Sequence, residues 1–165
     1  MALPPRKLSL DANLVFDLAE SADFAHDFRE TFQGRGYRLF LPPTALHELH
    51  TIFEYGATPE DRELARLALV SLKSWHIQPL DLDSTAEAIA RRFVQELLRR
   101  RLIPDEEFND GLILAETSIL EIPLLVTSDK HLLHIDEDAL NLAFSEADLP
   151  AVHPVHPKAL LRALR

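Results

Sequence analysis

Apolar residues in this chain come in two rhythms. Short runs, continuous or alternating, occur at Lys7-Leu8-Ser9-Leu10, Arg38-Leu39-Phe40-Leu41, His76-Ile77-Gln78-Pro79-Leu80 and Pro123-Leu124-Leu125-Val126-Thr127, with a weaker fifth over 151–155. Runs this short, bounded by residues that turn the chain, read as β-strands. Pro79 cannot donate to a ladder, which places the third run at a sheet edge. Between the strands the apolar spacing lengthens to that of helices, expected over 13–20, 21–32, 44–55, 58–75, 84–101 and 105–120. Thr44 reads as the cap of the third helix. Thr58-Pro59-Glu60-Asp61 gives the fourth a cap, a first-turn proline and acids at the positive end of its dipole. In the fifth, Ile89, Phe93 and Leu97 are expected to face the core. Phe16, Phe24, Phe28 and Phe32 form a stripe that serves as core or as a subunit contact, and Ile113, Leu114 and Leu120 supply further packing surface.

Strands alternating with helices imply parallel pairing through right-handed crossovers, hence a three-layer α/β/α domain. A length of 165 residues fits one such domain. With 47% hydrophobic and 27% charged residues the chain is not of the disordered class. No apolar run approaches the roughly 20 residues that span a bilayer. The opening MALPPRKLSLDAN lacks the apolar core of a signal peptide. Cysteine is absent, which removes disulfides and thiolate metal sites and makes the cytoplasm the expected location. The glycine-rich loops that cradle nucleotides are also missing.

A net charge of −10 disfavours a nucleic-acid binder, because phosphate contacts need Lys and Arg. The objection weakens if four acids belong to a metal site, since −10 + 4 leaves −6 for the rest of the chain. Four acids stand where such a site is expected. Asp11 directly follows the first strand and Asp129 the fourth. Glu48 lies one turn into the helix after the second strand. Asp110 is near a helix start in Phe108-Asn109-Asp110-Gly111. Open parallel sheets bind ligands beyond the carboxyl ends of their strands, so these side chains are expected to converge. Carboxylates held close together resist ionisation, and an oxygen-seeking cation such as Mg²⁺ or Mn²⁺ removes the conflict. Water acidified by the metal can then attack a phosphodiester, and two ions about 3.5–4 Å apart can stabilise both attacking and leaving oxygens. Taken singly, each acid is more commonly a cap or a strand end; the combination carries the reading.

Other residues have roles to weigh around these four. Asn13 and Thr127 can orient the acids through hydrogen bonds, or simply make a turn and end a strand. His47-Glu48-Leu49-His50 lacks the i, i+4 histidines of a zinc-binding helix. His131 and His134 could meet phosphates, but such residues are more often plain surface. Lys130, beside Asp129, and Arg92, Arg99, Arg100 and Arg101, on or ending one helix, are candidate phosphate contacts for RNA. The arginines also have an ordinary role, since cations complement a helix C-terminus and Arg92 can pair with Glu96 at i+4.

Leu8-Ser9-Leu10-Asp11-Ala12-Asn13 resembles the opening strand and first acid of the PIN-domain ribonucleases. Leu41-Pro42-Pro43-Thr44-Ala45-Leu46-His47-Glu48-Leu49 is similar to their second motif, and Asn109-Asp110-Gly111-Leu112-Ile113-Leu114-Ala115 to their third. Leu125-Val126-Thr127-Ser128-Asp129 is similar to the fourth, and His153-Pro154-Val155-His156-Pro157 to the closing strand and its exit. The resemblance runs over about 8–161. It implies a five-stranded sheet of order 3-2-1-4-5 and cleavage of single-stranded or structured RNA that depends on Mg²⁺ or Mn²⁺. It implies Asp11, Glu48, Asp110 and Asp129 as the metal-binding and catalytic set. In VapC-type toxins it further implies a small antitoxin partner and a homodimer. The long helices over 58–102 exceed those of a minimal toxin. Two other readings compete. One is a PIN-like module that binds RNA or protein without cutting, against which the presence of all four acids stands. The other is a phosphatase-like hydrolase with Asp11 as nucleophile, but Asn13 occupies the position where such enzymes generally carry a second Asp.

Overall fold

The protein is described here from a computed structural model covering residues 6–164. Residues 1–5, part of the stretch read above for a signal peptide, lie outside the described residues, as does residue 165. All five apolar runs form strands: β1 (Arg6–Leu10), β2 (Tyr37–Leu41), β3 (Ile77–Pro79), β4 (Leu124–Val126) and β5 (His153–Val155). They make one parallel sheet of order β3-β2-β1-β4-β5. Leu8 pairs with Leu39, and Leu10 with Val126. Pro79 sits on the edge strand, opposite Leu41, where its missing N–H costs no ladder bond. The central β1 is buried at Leu8, Ser9 and Leu10, as expected for a strand covered on both faces.

The helices between the strands are α1 (Ala12–Ala19), α2 (Asp23–Gly34), α3 (Pro43–Tyr55), α4 (Pro59–Ser71), α5 (Ser84–Arg99) and α6 (Phe108–Ile119). Three more follow β4 and β5 that the periodicity did not announce: α7 (Lys130–Leu133), α8 (Glu137–Glu146) and α9 (Pro157–Arg162). No helix among the described residues is long and apolar enough to cross a membrane. Most of the buried apolar side chains join one cluster around β1, α1 and α6.

Several expectations need correction. Thr58 caps α4 as read, its hydroxyl accepting from Asp61 N–H, but the helix stops at Ser71 rather than near Trp75. Thr44 is no cap, because α3 starts one residue earlier, at Pro43. On α5 the buried stripe is Ala90, Phe93, Val94 and Leu97, and Ile89 is 45% exposed. A stripe at i, i+3, i+4, i+7 outcompetes the i, i+4, i+8 line because the latter drifts around the helix. Phe28 and Phe32 are fully buried and Phe16 and Phe24 pack against the same core, so this stripe is not a surface available for dimerisation.

The scarcity of glycine has a structural counterpart. Five helical segments end in Schellman turns whose left-handed residue is not glycine: Ser21, His76, Arg101, Glu121 and Asp148. In each, the next residue's N–H reaches back to a carbonyl of the last turn, as from Ala22 to Asp17, Ile122 to Thr117 and Leu149 to Phe144. Every one of those next residues is apolar, so burial after the turn offsets part of the left-handed strain. Gly111 is different. A Cβ there would lie 2.8 Å from both Ile103 Cδ1 and Val94 Cγ1, so its bare backbone lets α6 approach α5 closely.

Candidate metal centre

Parallel pairing delivers Asp11 and Asp129 to the same end of adjacent strands. The Asp11 N–H donates to Val126 O at 2.9 Å, extending the β1–β4 ladder one step past the strands. This is the point at which strand order reverses, where open sheets form their crevice. Asp11 caps α1, with Oδ1 accepting from Ala12 N–H at 2.7 Å. Its Oδ2 accepts from the Thr127 hydroxyl at 2.7 Å and from Asn13 Nδ2 at 3.3 Å. Asp129 caps the short α7, accepting from His131 N–H at 2.7 Å. Both acids thus take the ordinary capping role, and the cap fixes the orientation of each carboxylate.

Thr127 joins the two. Its buried hydroxyl donates to Asp11 and accepts from the Asp129 N–H at 3.0 Å. Asn13 braces the same loop, its Oδ1 accepting from Ser128 N–H at 3.4 Å.

Asp110 stands in the first turn of α6, which has no side-chain cap and whose dipole favours an anion there. It is 8% exposed, and its Oδ2 is buried without a hydrogen-bond partner. Carboxylate oxygens of Glu107, Asp110 and Asp129 lie within 4.8 Å of one another. Two carboxylates can share a hydrogen bond only by holding a proton between them, so burial, then Glu107 and Asp129, push Asp110 up to about 10. Glu48, on α3, is raised to about 7, first by burial and then by the charges of Asp11 and Asp129. Asp11 is raised as well, because burial outweighs its hydrogen bonds from Thr127 and Ala12.

Of the four expected acids, Asp110 and Asp129 stand in this compact group, while Asp11 and Glu48 lie outside it but near enough for their charges to act on its members or on each other. Glu107 joins them unannounced. It ends a single 3-10 turn (Asp105–Glu107) before α6, and its i, i+3 spacing to Asp110 was the available signal. Its Oε1 lies 3.5 Å from His131 Nε2. Glu116 was also missed: a buried acid inside the apolar run of α6, it accepts from Thr44 N–H at 3.0 Å and Thr44 Oγ1 at 2.7 Å. The donor set is all oxygen, compact, negative, and includes an orphaned buried oxygen, which fits a hard divalent cation such as Mg²⁺ or Mn²⁺.

Lys130 is exposed at the first position of α7, next to Asp129, and Arg92 is exposed on α5. Glu96 pairs with Arg99 and Arg100 rather than with Arg92 as expected, and the two guanidiniums, Arg99 first, bring its carboxyl down to about 2. Arg100 also reaches Glu146 on α8. Arg101 takes the left-handed turn after α5.

No family model matches the chain, and no curated protein matches it. Solved structures do. A chain of VapBC2 from Rickettsia felis, bound to a DNA fragment from their promoter, superposes with a TM-score of 0.62 at 14% identity, covering 91% of this chain and 98% of that one. VapBC-1 from nontypeable Haemophilus influenzae gives 0.57 at 12% identity, covering 92% and 98%. FitAcB from Neisseria gonorrhoeae gives 0.55 at 15%, covering 91% and 97%. The chain has a PIN-like α/β/α fold.

Proposed function

We propose that this PIN-like protein is a metal-dependent endoribonuclease, cutting single-stranded or structured RNA through water activated at the acid cluster. The observation that carries the reading is Asp110, a buried acid with one partnerless oxygen, Oδ2, whose carboxylate stands within 4.8 Å of those of Glu107 and Asp129. A protein gains nothing in stability by burying mutually repelling acids; a cation binding among them turns the repulsion into ligation. Asp11, Asp110 and Asp129, with Glu48 and Glu107 at the margin, would hold Mg²⁺ or Mn²⁺. The bound cation supplies charge neutralisation at phosphate and acidifies water. The chain's own residues do the rest. Thr127 and Asn13 hold the Asp11 carboxylate in one orientation, so its outer lone pairs stay aimed at the crevice. Glu48, half-buried next to the acid cluster, can accept a proton from water held in the crevice. Lys130 stands beside the cluster to meet a phosphate, and Arg92, Arg99, Arg100 and Arg101 provide a basic rim farther along the RNA.

The partner in this reading is a small antitoxin. The superposable VapBC and FitAcB structures support it, as does exposed apolar surface at Phe53 and Tyr55 of α3 and Leu67 and Val70 of α4. A homodimer rests on the resemblance alone. The test is cleavage of a labelled RNA pool in Mn²⁺ by the parent and by Asp110→Asn, with EDTA as control. The reading requires cutting by the parent that EDTA stops and that the folded variant lacks. Equal cutting by parent and variant refutes it, and so does cutting that survives EDTA.

A further inference from the structure

Helix α3 begins awkwardly. Its N-cap is Pro42, which has no side chain able to satisfy the first-turn N–H groups. The partner comes instead from α6, 72 residues away: Glu116, 4% exposed, takes the Thr44 N–H on Oε1 and the Thr44 hydroxyl on Oε2. Such bonds to an ionised carboxylate at a helix N-terminus are of the strong kind. Thr44 and Glu48 are i, i+4 neighbours, so the clasp lies on the same face as Glu48, one turn below it.

The next residue of α6 repeats the pattern toward β1. The Thr117 hydroxyl donates to Ile113 O at 2.7 Å and accepts from Ser9 Oγ at 2.8 Å. Ser9 is two residues before Asp11, hence on the same side of the chain, and Thr117 is two turns after Asp110 on the same face of α6. Consecutive residues of α6 therefore grip two of the other elements that carry acids, α3 with Glu48 and β1 with Asp11 at its end. A Ser or Asp at position 42 would cap α3 locally. Only a cap from α6 also fixes how α3 is rotated and spaced against the helix bearing Asp110.

We infer that Glu116 is a positioning residue which, through Thr44, sets the place of Glu48 and so the metal affinity of the centre. The inference rests on the metal-centre reading above. Charge and position are separable here. Glu116→Gln and Glu116→Ala remove the same charge, but Gln keeps the clasp, its Oε1 accepting from Thr44 N–H and its Nε2 donating to Thr44 Oγ1.

The experiment measures Mn²⁺ affinity by electron paramagnetic resonance, and amide hydrogen exchange over residues 44–48 in the metal-free protein, for the parent, both Glu116 variants and Thr44→Val. The expected result is that Glu116→Ala binds Mn²⁺ about 10–100-fold more weakly than Glu116→Gln, as for lost supporting bonds at other metal sites. Exchange over 44–48 should be faster in Glu116→Ala while β1 and β4 keep the parent rates. Thr44→Val, which keeps the backbone bond, should fall between and serves if Glu116→Ala does not fold. Equal Mn²⁺ affinity in the Gln and Ala variants, or in Thr44→Val and the parent, overturns the inference, as does exchange that rises evenly along the chain. A parent that binds no Mn²⁺ sinks the metal-centre reading itself, and the inference with it.

Discussion

Replacing Glu48 with Gln should stabilise the metal-free protein at pH 8, although it removes a residue of the proposed centre. Burial and the charges of Asp11 and Asp129 carry the Glu48 carboxyl from 4.5 to about 7. The native state therefore holds its proton more tightly than the unfolded chain does. Its contribution is fully present below about pH 4.5 and is lost as pH rises through about 7. Fully ionised, a shift of that size corresponds to about 3 kcal/mol; because the side chain is only half-buried, solvent screening reduces this to about 1–2 kcal/mol. Gln carries no such penalty. In EDTA at pH 8 the variant should melt about 2–6 °C above the parent, and at pH 4.5 the two should melt nearly together. Saturating Mn²⁺ should then reverse the order, since a ligand at 100 times its Kd adds about 2.7 kcal/mol to the state that binds it. The assay is thermal unfolding by circular dichroism across pH, with and without metal. A variant no more stable than the parent at pH 8 in EDTA would show that the acids are not in conflict, and the reasoning would fail.

Three further outcomes follow from particular contacts. Gly111→Ala should cost about 1–2 kcal/mol in urea unfolding, because overpacking against Val94 and Ile103 exceeds the helix-propensity gain of about 1 kcal/mol; an unchanged midpoint would mean that α5 moves aside freely. Thr127→Val leaves the buried Asp11 Oδ2 and the Asp129 N–H short of a partner, which should cost about 1–3 kcal/mol; a variant as stable as its parent would deny that this hydroxyl organises the loop. Changing Arg99, Arg100 and Arg101 together to Gln should weaken RNA binding and flatten its salt dependence if they form the basic rim. Identical binding-versus-salt curves would leave Arg99 and Arg100 with only their ion pairs to Glu96 and Glu146.

What could be read from the sequence was what local chemistry determines. Leu8 to Leu10 and Leu124 to Val126 are apolar runs too short for helices, and the acids just past them had to emerge at one sheet end once pairing was parallel. Pro79 announced its edge position by what it cannot donate. Other features depend on residues far apart in the chain. Thr44 looks like a cap because Thr commonly is one, and only the folded protein reveals Glu116 bonding to it from α6. Glu107 was hidden because an acid before a helix start is ordinary, and its proximity to Asp129 depends on the β4–α7 loop. Phe24, Phe28 and Phe32 show an apolar face but not what covers it; α2 packs against β2 and α9, which closes that face. The Arg run was legible as charge, whereas its pairing with Glu146 required α8, a helix not among those expected from the sequence despite its Leu140, Ala143 and Phe144 stripe.

The most direct test of the central claim is to locate Mn²⁺ itself. Crystals of the parent soaked in Mn²⁺ near pH 7.5, with anomalous data collected at the manganese edge, should show a peak ligated by Asp110 Oδ2 together with Asp129 and Asp11 or Glu107. The same soak of Asp110→Asn should show none. A parent crystal with no anomalous peak among these carboxylates, or with Mn²⁺ only elsewhere on the surface, would contradict the account.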